Sequence, residues 1–214
     1  SVYEQVTKQS PRAAQAFAKL AQIGMTRGQI EKAKALVDQG LAGSPKSVQL
    51  LLVKAKLLMG DSPIKAAPVA RQAVTIEPDN QAAVLILAEA LARSDAGREA
   101  IQTLTAFLAR KGTDQAFDAR VSLAQLLVQA GESEKADARL KEADALQPEH
   151  QSIVAVRLLS CAAQKHWQGL IDLADGHLKK HPDDLAVAES AGTQLMASQE
   201  PEPRKKSIHF FEYI

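Results

Sequence analysis

The chain has 214 residues, with 26 Lys+Arg against 25 Asp+Glu and a formal charge of +1, so it carries no overall electrostatic footprint for nucleic acid. A single cysteine excludes an internal disulfide, and aromatic residues make up only 4%. No apolar run reaches the length of a membrane span, and no charged-then-apolar segment opens the chain.

In chain order, residues 1–10, with Tyr3 and Val6 ahead of Pro11, read as the second helix of a repeat whose first helix is missing. Residues 11–44 carry Phe17, Leu20-Ala21, Gly28, Ala33, Val37 and Gly40-Leu41 ahead of Pro45, a first helix, a turn and a second helix. Residues 45–77 place Gly60-Asp61 at the turn with Pro63 and Pro68 close behind, which predicts a second helix that begins late or irregularly. Residues 78–112 keep the frame through Leu87-Ala88, Ala100, Leu104 and Phe107-Leu108, but put Gly112 where a proline would stand. Residues 113–148 give the fullest unit: Phe117, Leu123-Ala124, Leu126 and Leu127, then Gly131-Glu132, then Ala136, Leu140, Ala143 and Pro148. In residues 149–182, Arg157-Leu158 replaces the leucine-small pair, Leu170 replaces an alanine and Trp167 opens the second helix, so this pair should be splayed or rotated. Residues 183–214 read as a first helix over 185–198, an extended polar connection at 199–203 that lets the last helix swing, and a second helix over 204–214. That last helix is unusually apolar at Ile208, Phe210, Phe211, Tyr213 and Ile214, and both ends look cut from a longer array.

The prolines act as a ruler. Pro11, Pro45, Pro78, Pro148 and Pro182 are 34, 33, 70 (twice 35) and 34 residues apart, the period of stacked helix pairs that bury their apolar faces only against neighbours. Alanines such as Ala124 and Ala136 stand where antiparallel helices must approach closely, Gly131 suits a left-handed helix end, and Pro148 stops the second helix.

The spacing of these small residues, leucines and prolines resembles the tetratricopeptide repeat, whose pattern is W-x2-L-G-x2-Y, then A-x3-F, then P. The likeness runs through nearly all of the chain, although most signature aromatics are missing. It implies an all-α fold, a right-handed α-α superhelix of about thirteen helices, as a single solenoid over 1–214 with five complete repeats and partial repeats at 1–10 and 183–214. It also implies a concave groove lined by first helices. Carried onto this sequence, the groove set is Ala18 and Gln22, Leu52 and Lys56, Leu85 and Glu89, Val121 and Gln125, Ala155 and Leu159, then Glu189 and Thr193. Small or branched apolar residues alternate there with polar ones, which suits an amphipathic helix or an extended segment with apolar anchors. Members that clamp a C-terminal carboxylate use ordered Lys and Asn, whereas this chain offers Gln22, Lys56, Glu89 and Gln125, and Glu89 would repel that group.

No Walker-type loop, G-x-S-x-G or H-E-x-x-H occurs in the sequence. His177 and His181 have a spacing that could share a metal, but His181 abuts Pro182 with no completing ligand, and they read as helix C-terminal cations. His150 and His166 read as turn residues, Trp167 as packing, Asp183-Asp184 as a helix cap, and Lys179-Lys180 and Arg204-Lys205-Lys206 as solvated faces. Cys161 reads as a buried, inert thiol. No catalytic residue, metal or cofactor is expected. The expected role is a non-enzymatic scaffold that holds a peptide or helical protein segment, with self-association through the terminal helix residues Ile208, Phe210, Phe211 and Ile214. An Ala-, Gln- and Leu-rich array resembles bacterial members that support envelope assembly in pilus biogenesis, exopolysaccharide export or secretion, with periplasm favoured over cytoplasm. The alternative is a recruiting or regulatory arm of an enzyme whose catalytic domain lies outside these residues.

Overall fold

The computed structural model describes Ser10, residues 13–110 and residues 116–214, and among them are twelve α-helices and no strand. The helix expected at 1–10 with Tyr3 and Val6, and also Pro11 and Gly112, lie outside the described residues. The helices are α1 (Ala14–Thr26), α2 (Ile30–Gly43), α3 (Val48–Asp61), α4 (Pro63–Ile76), α5 (Gln81–Ala92), α6 (Gly97–Leu108), α7 (Phe117–Gln129), α8 (Ser133–Leu146), α9 (Gln151–Ala163), α10 (Trp167–Lys180), α11 (Leu185–Met196) and α12 (Pro201–Phe211). They form two compact units, Ser1–Thr113 and Asp114–Ile214.

Each of the four described prolines of the ruler, Pro45, Pro78, Pro148 and Pro182, stands two residues before the cap of a first helix. After Pro45, the Ser47 hydroxyl accepts from the Leu50 amide at 3.4 Å, and after Pro78, Asn80 Oδ1 accepts from Ala83 at 3.1 Å. After Pro148, His150 Nδ1 accepts from Ser152 at 3.2 Å, and after Pro182, Asp184 Oδ1 accepts from Val187 at 3.3 Å. The proline ends one helix and the cap satisfies a free amide of the next, so the corner is encoded twice. Within four pairs, the turn holds one residue in the left-handed region: Gly28 (φ 69°), Asp95 (φ 57°), Gly131 (φ 78°) and Lys165 (φ 56°). The following amide reaches back five residues in each, Gln29 to Gly24, Ala96 to Leu91, Glu132 to Leu127 and His166 to Cys161, at 2.8–2.9 Å. These are Schellman closures of the first helices.

In unit Ser1–Thr113, α1 and α2, α3 and α4, and α5 and α6 pair, and the first helices α1, α3 and α5 pack side by side. Phe17, Ala18, Ala21, Ala33, Val37, Leu50, Val53 and Leu57 form one continuous core across α1, α2 and α3. The pair α3/α4 departs from expectation. Its second helix begins early: Ser62 alone links the helices, Pro63 takes the first helical position, and Pro68 sits inside α4. A proline at the first position removes no intrahelical bond, whereas Pro68 removes the one that the Ile64 carbonyl would accept. The one-residue turn accounts for the 33-residue interval, and Ala66, Ala70 and Ala73, all fully buried, let α4 lie close to its neighbours. As a result α4 packs on α5 about as extensively as helices pack within a pair.

In unit Asp114–Ile214, α7 and α8, α9 and α10, and α11 and α12 pair, with α7, α9 and α11 side by side. Ala124, Ala136 and Ala143 are fully buried at the α7/α8 crossing. Helices α9 and α10 approach each other along less of their length than the other pairs, where Leu158 and Leu170, both fully buried, replace small residues. Within this unit the joint between α8 and α9 is thinner than that between α10 and α11.

Two expectations for the last pair are corrected. Residues 199–203 are not an extended swinging connection: α12 starts at Pro201, and Trp167 Nε1–H donates to Glu200 Oε1 at 2.9 Å just before it. Pro201 and Pro203 occupy first-turn positions whose amides have no intrahelical acceptor, so neither breaks the helix. Phe210 is not part of an exposed face. It is fully buried in the core with Leu170, Ala174, Leu178, Ala188 and Leu195.

Candidate functional site: a groove on first helices

In unit Ser1–Thr113 a cavity of about 350 Å³ opens along α1, α3 and α5. Gln15, Ala18, Lys19 and Gln22 line it from α1, Gln49, Leu52, Val53 and Lys56 from α3, and Ala82 and Ile86 from α5. Gln15, Ala18 and Gln22 follow the three- and four-residue steps of one helix face, and Gln49, Leu52 and Lys56 repeat that row 34 residues on. Apolar side chains form the floor, while the longer amides and ammoniums stand above it. Among the described residues, the side chains of Gln15, Lys19, Gln22, Gln49 and Lys56 make no hydrogen bond or ion pair, and no acidic residue lines the cavity.

Four of the expected groove residues, Ala18, Gln22, Leu52 and Lys56, come together here. Leu85 is half-buried and Glu89 exposed; neither lines the cavity, and Glu89 Oε1 is paired with Arg93 Nη1 at 3.2 Å. Gln15 and Gln49 were legible as one more turn of the same row. Lys19, Val53 and Ile86 sit one residue off it and become liners because adjacent first helices bring their flanks together. In the other unit, Val121 is buried, Ala155 and Leu159 are half-buried, and Gln125, Glu189 and Thr193 are exposed, on α7, α9 and α11.

A second cavity, about 570 Å³, lies at the helix corners of unit Asp114–Ile214, with Glu149, His150, His177, His181, Asp183 and Asp184 among its liners. His177 Nε2 meets Asp184 Oδ2 at 2.8 Å, both groups nearly buried, while the other Asp184 oxygen caps α11. His181 Nε2 lies 3.5 Å from Glu149 Oε2, and the Lys180 ammonium donates to the same carboxylate. The Lys180 hydrogen bond, followed by that of His181, holds the Glu149 carboxyl below the usual carboxylate range. The two histidine rings are 4.7 Å apart, yet each is held by a carboxylate. Among the described residues no group of three or more His, Cys, Asp or Glu is placed to hold a metal ion. Burial, aided by the Asp137 charge, raises the Cys161 thiol above the usual range. On α12, Ile208 is 59% exposed and Phe211 leans its ring over Gly192, and beyond the helix Ile214 is 64% exposed. No described helix is long and apolar enough to cross a membrane.

No protein-family model and no curated protein matches the sequence. Solved structures do. PilW, a widely conserved type IV pilus biogenesis factor, is 20% identical with a TM-score of 0.70, over 94% of this chain and 90% of that one. Pseudomonas aeruginosa PilF is 15% identical with a TM-score of 0.69, over 92% and 88%. YrrB, a TPR protein with an unusual peptide-binding site, is 14% identical with a TM-score of 0.62, over 89% and 97%. Together with the paired helices, the buried small residues and the proline-cap corners, these likenesses establish that the chain has the tetratricopeptide-repeat fold, an all-α solenoid of tandem helix pairs.

Proposed function

We propose that the chain is a non-enzymatic protein-interaction scaffold that holds a segment of a partner protein along its first helices. The observation that carries this reading is the cavity over α1, α3 and α5, where an apolar floor lies beneath amide and ammonium groups that have no partner of their own. Apolar anchors supply affinity in such a groove and polar groups fix register. The peptide-binding site named for YrrB and the pilus role named for PilW are consistent with a scaffold in bacterial envelope assembly. Gln125, Ala155, Leu159, Glu189 and Thr193 offer a second such row in the other unit. The test is peptide selection on the 214-residue chain and on a Leu52→Glu variant of unchanged helicity. Peptides that bind the first and not the second support the groove; binding indifferent to Leu52 refutes it.

Ile208, Phe211 and Ile214 favour self-association as a second contact, because Ile208 on α12 and Ile214 just beyond its end are both more than half exposed. Light scattering on the chain and on an Ile208→Ser/Ile214→Ser variant tests it. A monomer in both at high concentration removes that part of the proposal.

A further inference from the structure

We infer that the apolar row at the end of α12 docks, on a second copy of this chain, into a cleft between the second helices α4 and α6; this rests on the self-association reading above and gives that contact its other face. The cleft, about 360 Å³, has Arg71, Val74, Thr75 and Pro78 along one wall. Thr103, Ala106, Phe107 and Arg110 stand along the other, and both walls follow the three-, four- and seven-residue steps of one helix face. Buried Val84 and Leu87 of α5 form the floor. An ion pair joins the walls at each end: Arg71 Nη1 lies 2.7 Å from Glu99 Oε1, and Arg110 Nη1 lies 3.1 Å from Asp79 Oδ1 and also donates to the Pro78 carbonyl.

The hydroxyls of the cleft are partnered as well. Thr75 donates to the Arg71 carbonyl at 2.9 Å and Thr103 to the Glu99 carbonyl at 2.8 Å. A charged occupant would have to break one of these bonds or lose its own water uncompensated, so the cleft suits an uncharged, apolar row. The end of α12 carries one. Ile208, Phe211 and Ile214 follow at steps of three, and the Ile214 amide donates to the Phe211 carbonyl at 3.3 Å, so the turn continues past the helix and keeps them on one side. At 1.5 Å per residue this row is about 9 Å long, and the cleft between its arginine ends about 10 Å.

Charge decides against a contact of tail with tail. Residues 1–113 hold 15 Lys+Arg against 9 Asp+Glu, and residues 114–214 hold 11 against 16, so the overall +1 divides into +6 and −5. Two tails meeting would bring two acidic units together. A tail in a cleft sets the acidic unit of one copy against the basic unit of the other. The cations of α12 are engaged within their own copy: Arg204 donates to the Ser198 carbonyl, Lys205 to Glu202 and Lys206 to Gln168.

The experiment is sedimentation velocity on the 214-residue chain, on Ile208→Ser/Ile214→Ser, and on Ala106→Glu with Thr75→Glu as a second cleft variant on the facing wall. Each is checked for wild-type helicity by circular dichroism and run at low and high salt, alone and mixed in equal amounts. The wild type should associate, and its mass should fall toward that of the monomer as salt rises. Each variant alone should be a monomer. The tail variant mixed with a cleft variant should form a species of twice the monomer mass, because one supplies the intact cleft and the other the intact row. Cleft variants that associate as the wild type does, or a mixture that stays monomeric while the wild type associates, overturn this inference and leave the self-association reading standing. A monomeric wild type, or a tail variant that associates undiminished, overturns both.

Discussion

Two glycines in comparable helical settings should respond to the same substitution with opposite signs. Gly40 lies near the end of α2, and a Cβ built there would meet Leu50 Cδ1 at 2.8 Å and Phe17 Cβ at 2.9 Å. Leu50 is fully buried and Phe17 Cβ is fixed to the backbone of α1, so α1, α2 and α3 would have to move apart by a few tenths of an ångström. Gly176 lies inside α10, and a Cβ there meets nothing within 4 Å. Either Gly→Ala change gains about 0.5–1 kcal/mol of helix propensity. Overpacking costs about 1–3 kcal/mol, and it applies only at Gly40. Gly40→Ala should therefore be destabilised by up to about 2.5 kcal/mol and Gly176→Ala stabilised by about 0.5–1 kcal/mol. Urea unfolding followed by circular dichroism gives the global difference. Because repeat arrays need not unfold in one step, hydrogen exchange over α1–α3 and over α10 should locate it. If Gly40→Ala is as stable as Gly176→Ala, the first two repeats do not pack through Gly40 and the close-approach reasoning fails.

Truncating Phe210 to Ala removes a fully buried ring and should cost about 3–5 kcal/mol in the last pair, read from Trp167 emission, because Trp167 is bonded to Glu200 at the start of α12. A loss below about 1 kcal/mol would return Phe210 to the surface. Lys165→Gly should stabilise the chain by about 0.5–1 kcal/mol in thermal or urea unfolding, since Lys165 sits at φ 56° where a side chain is strained; a destabilised variant refutes this. Glu149 has a lowered pKa, so its tie to Lys180 and His181 is present above the usual carboxylate range and is lost as pH falls through the depressed folded value. An NMR titration of its carboxyl should show a midpoint below that of an ordinary glutamate, moving up in Lys180→Ala; an ordinary midpoint in the wild type contradicts the pairing. Cys161, with its thiol pKa raised mainly by burial, should react with iodoacetamide at neutral pH more slowly than a free cysteine, and at the free rate only in denaturant.

The fold was legible because its signals act locally. Proline followed two residues later by a capping side chain needs no tertiary context, and neither does a left-handed glycine such as Gly28 or Gly131. The misreadings share a cause, that proline has two opposite roles. Pro63, Pro201 and Pro203 start helices, while Pro45 and Pro148 stand between them, and only the neighbouring packing says which. Phe210 was misplaced for a related reason: the residues that cover it, Leu170 and Ala174 on α10, lie some 36–40 positions earlier in the chain. The groove row on α1 and α3 followed from the resemblance to the tetratricopeptide repeat, but which flanking residues complete a cavity depends on how far apart neighbouring first helices sit, and a sequence period does not contain that distance.

The single-residue link at Ser62 has a consequence for how such a chain can be cut and recombined. By drawing α4 onto α5, it makes the joint at Pro78 nearly as substantial as a bond within a pair, while the joint between α8 and α9 at Pro148 stays thin. A repeat defined by the sequence period is thus not everywhere an exchangeable part. Splicing a foreign unit in at Pro148 severs the α7/α9 contact and a thin α8/α9 joint, whereas the same operation at Pro78 divides a four-helix block, α3 to α6, that spans two repeats. Duplication or grafting that respects the ruler should succeed at the first seam and fail at the second.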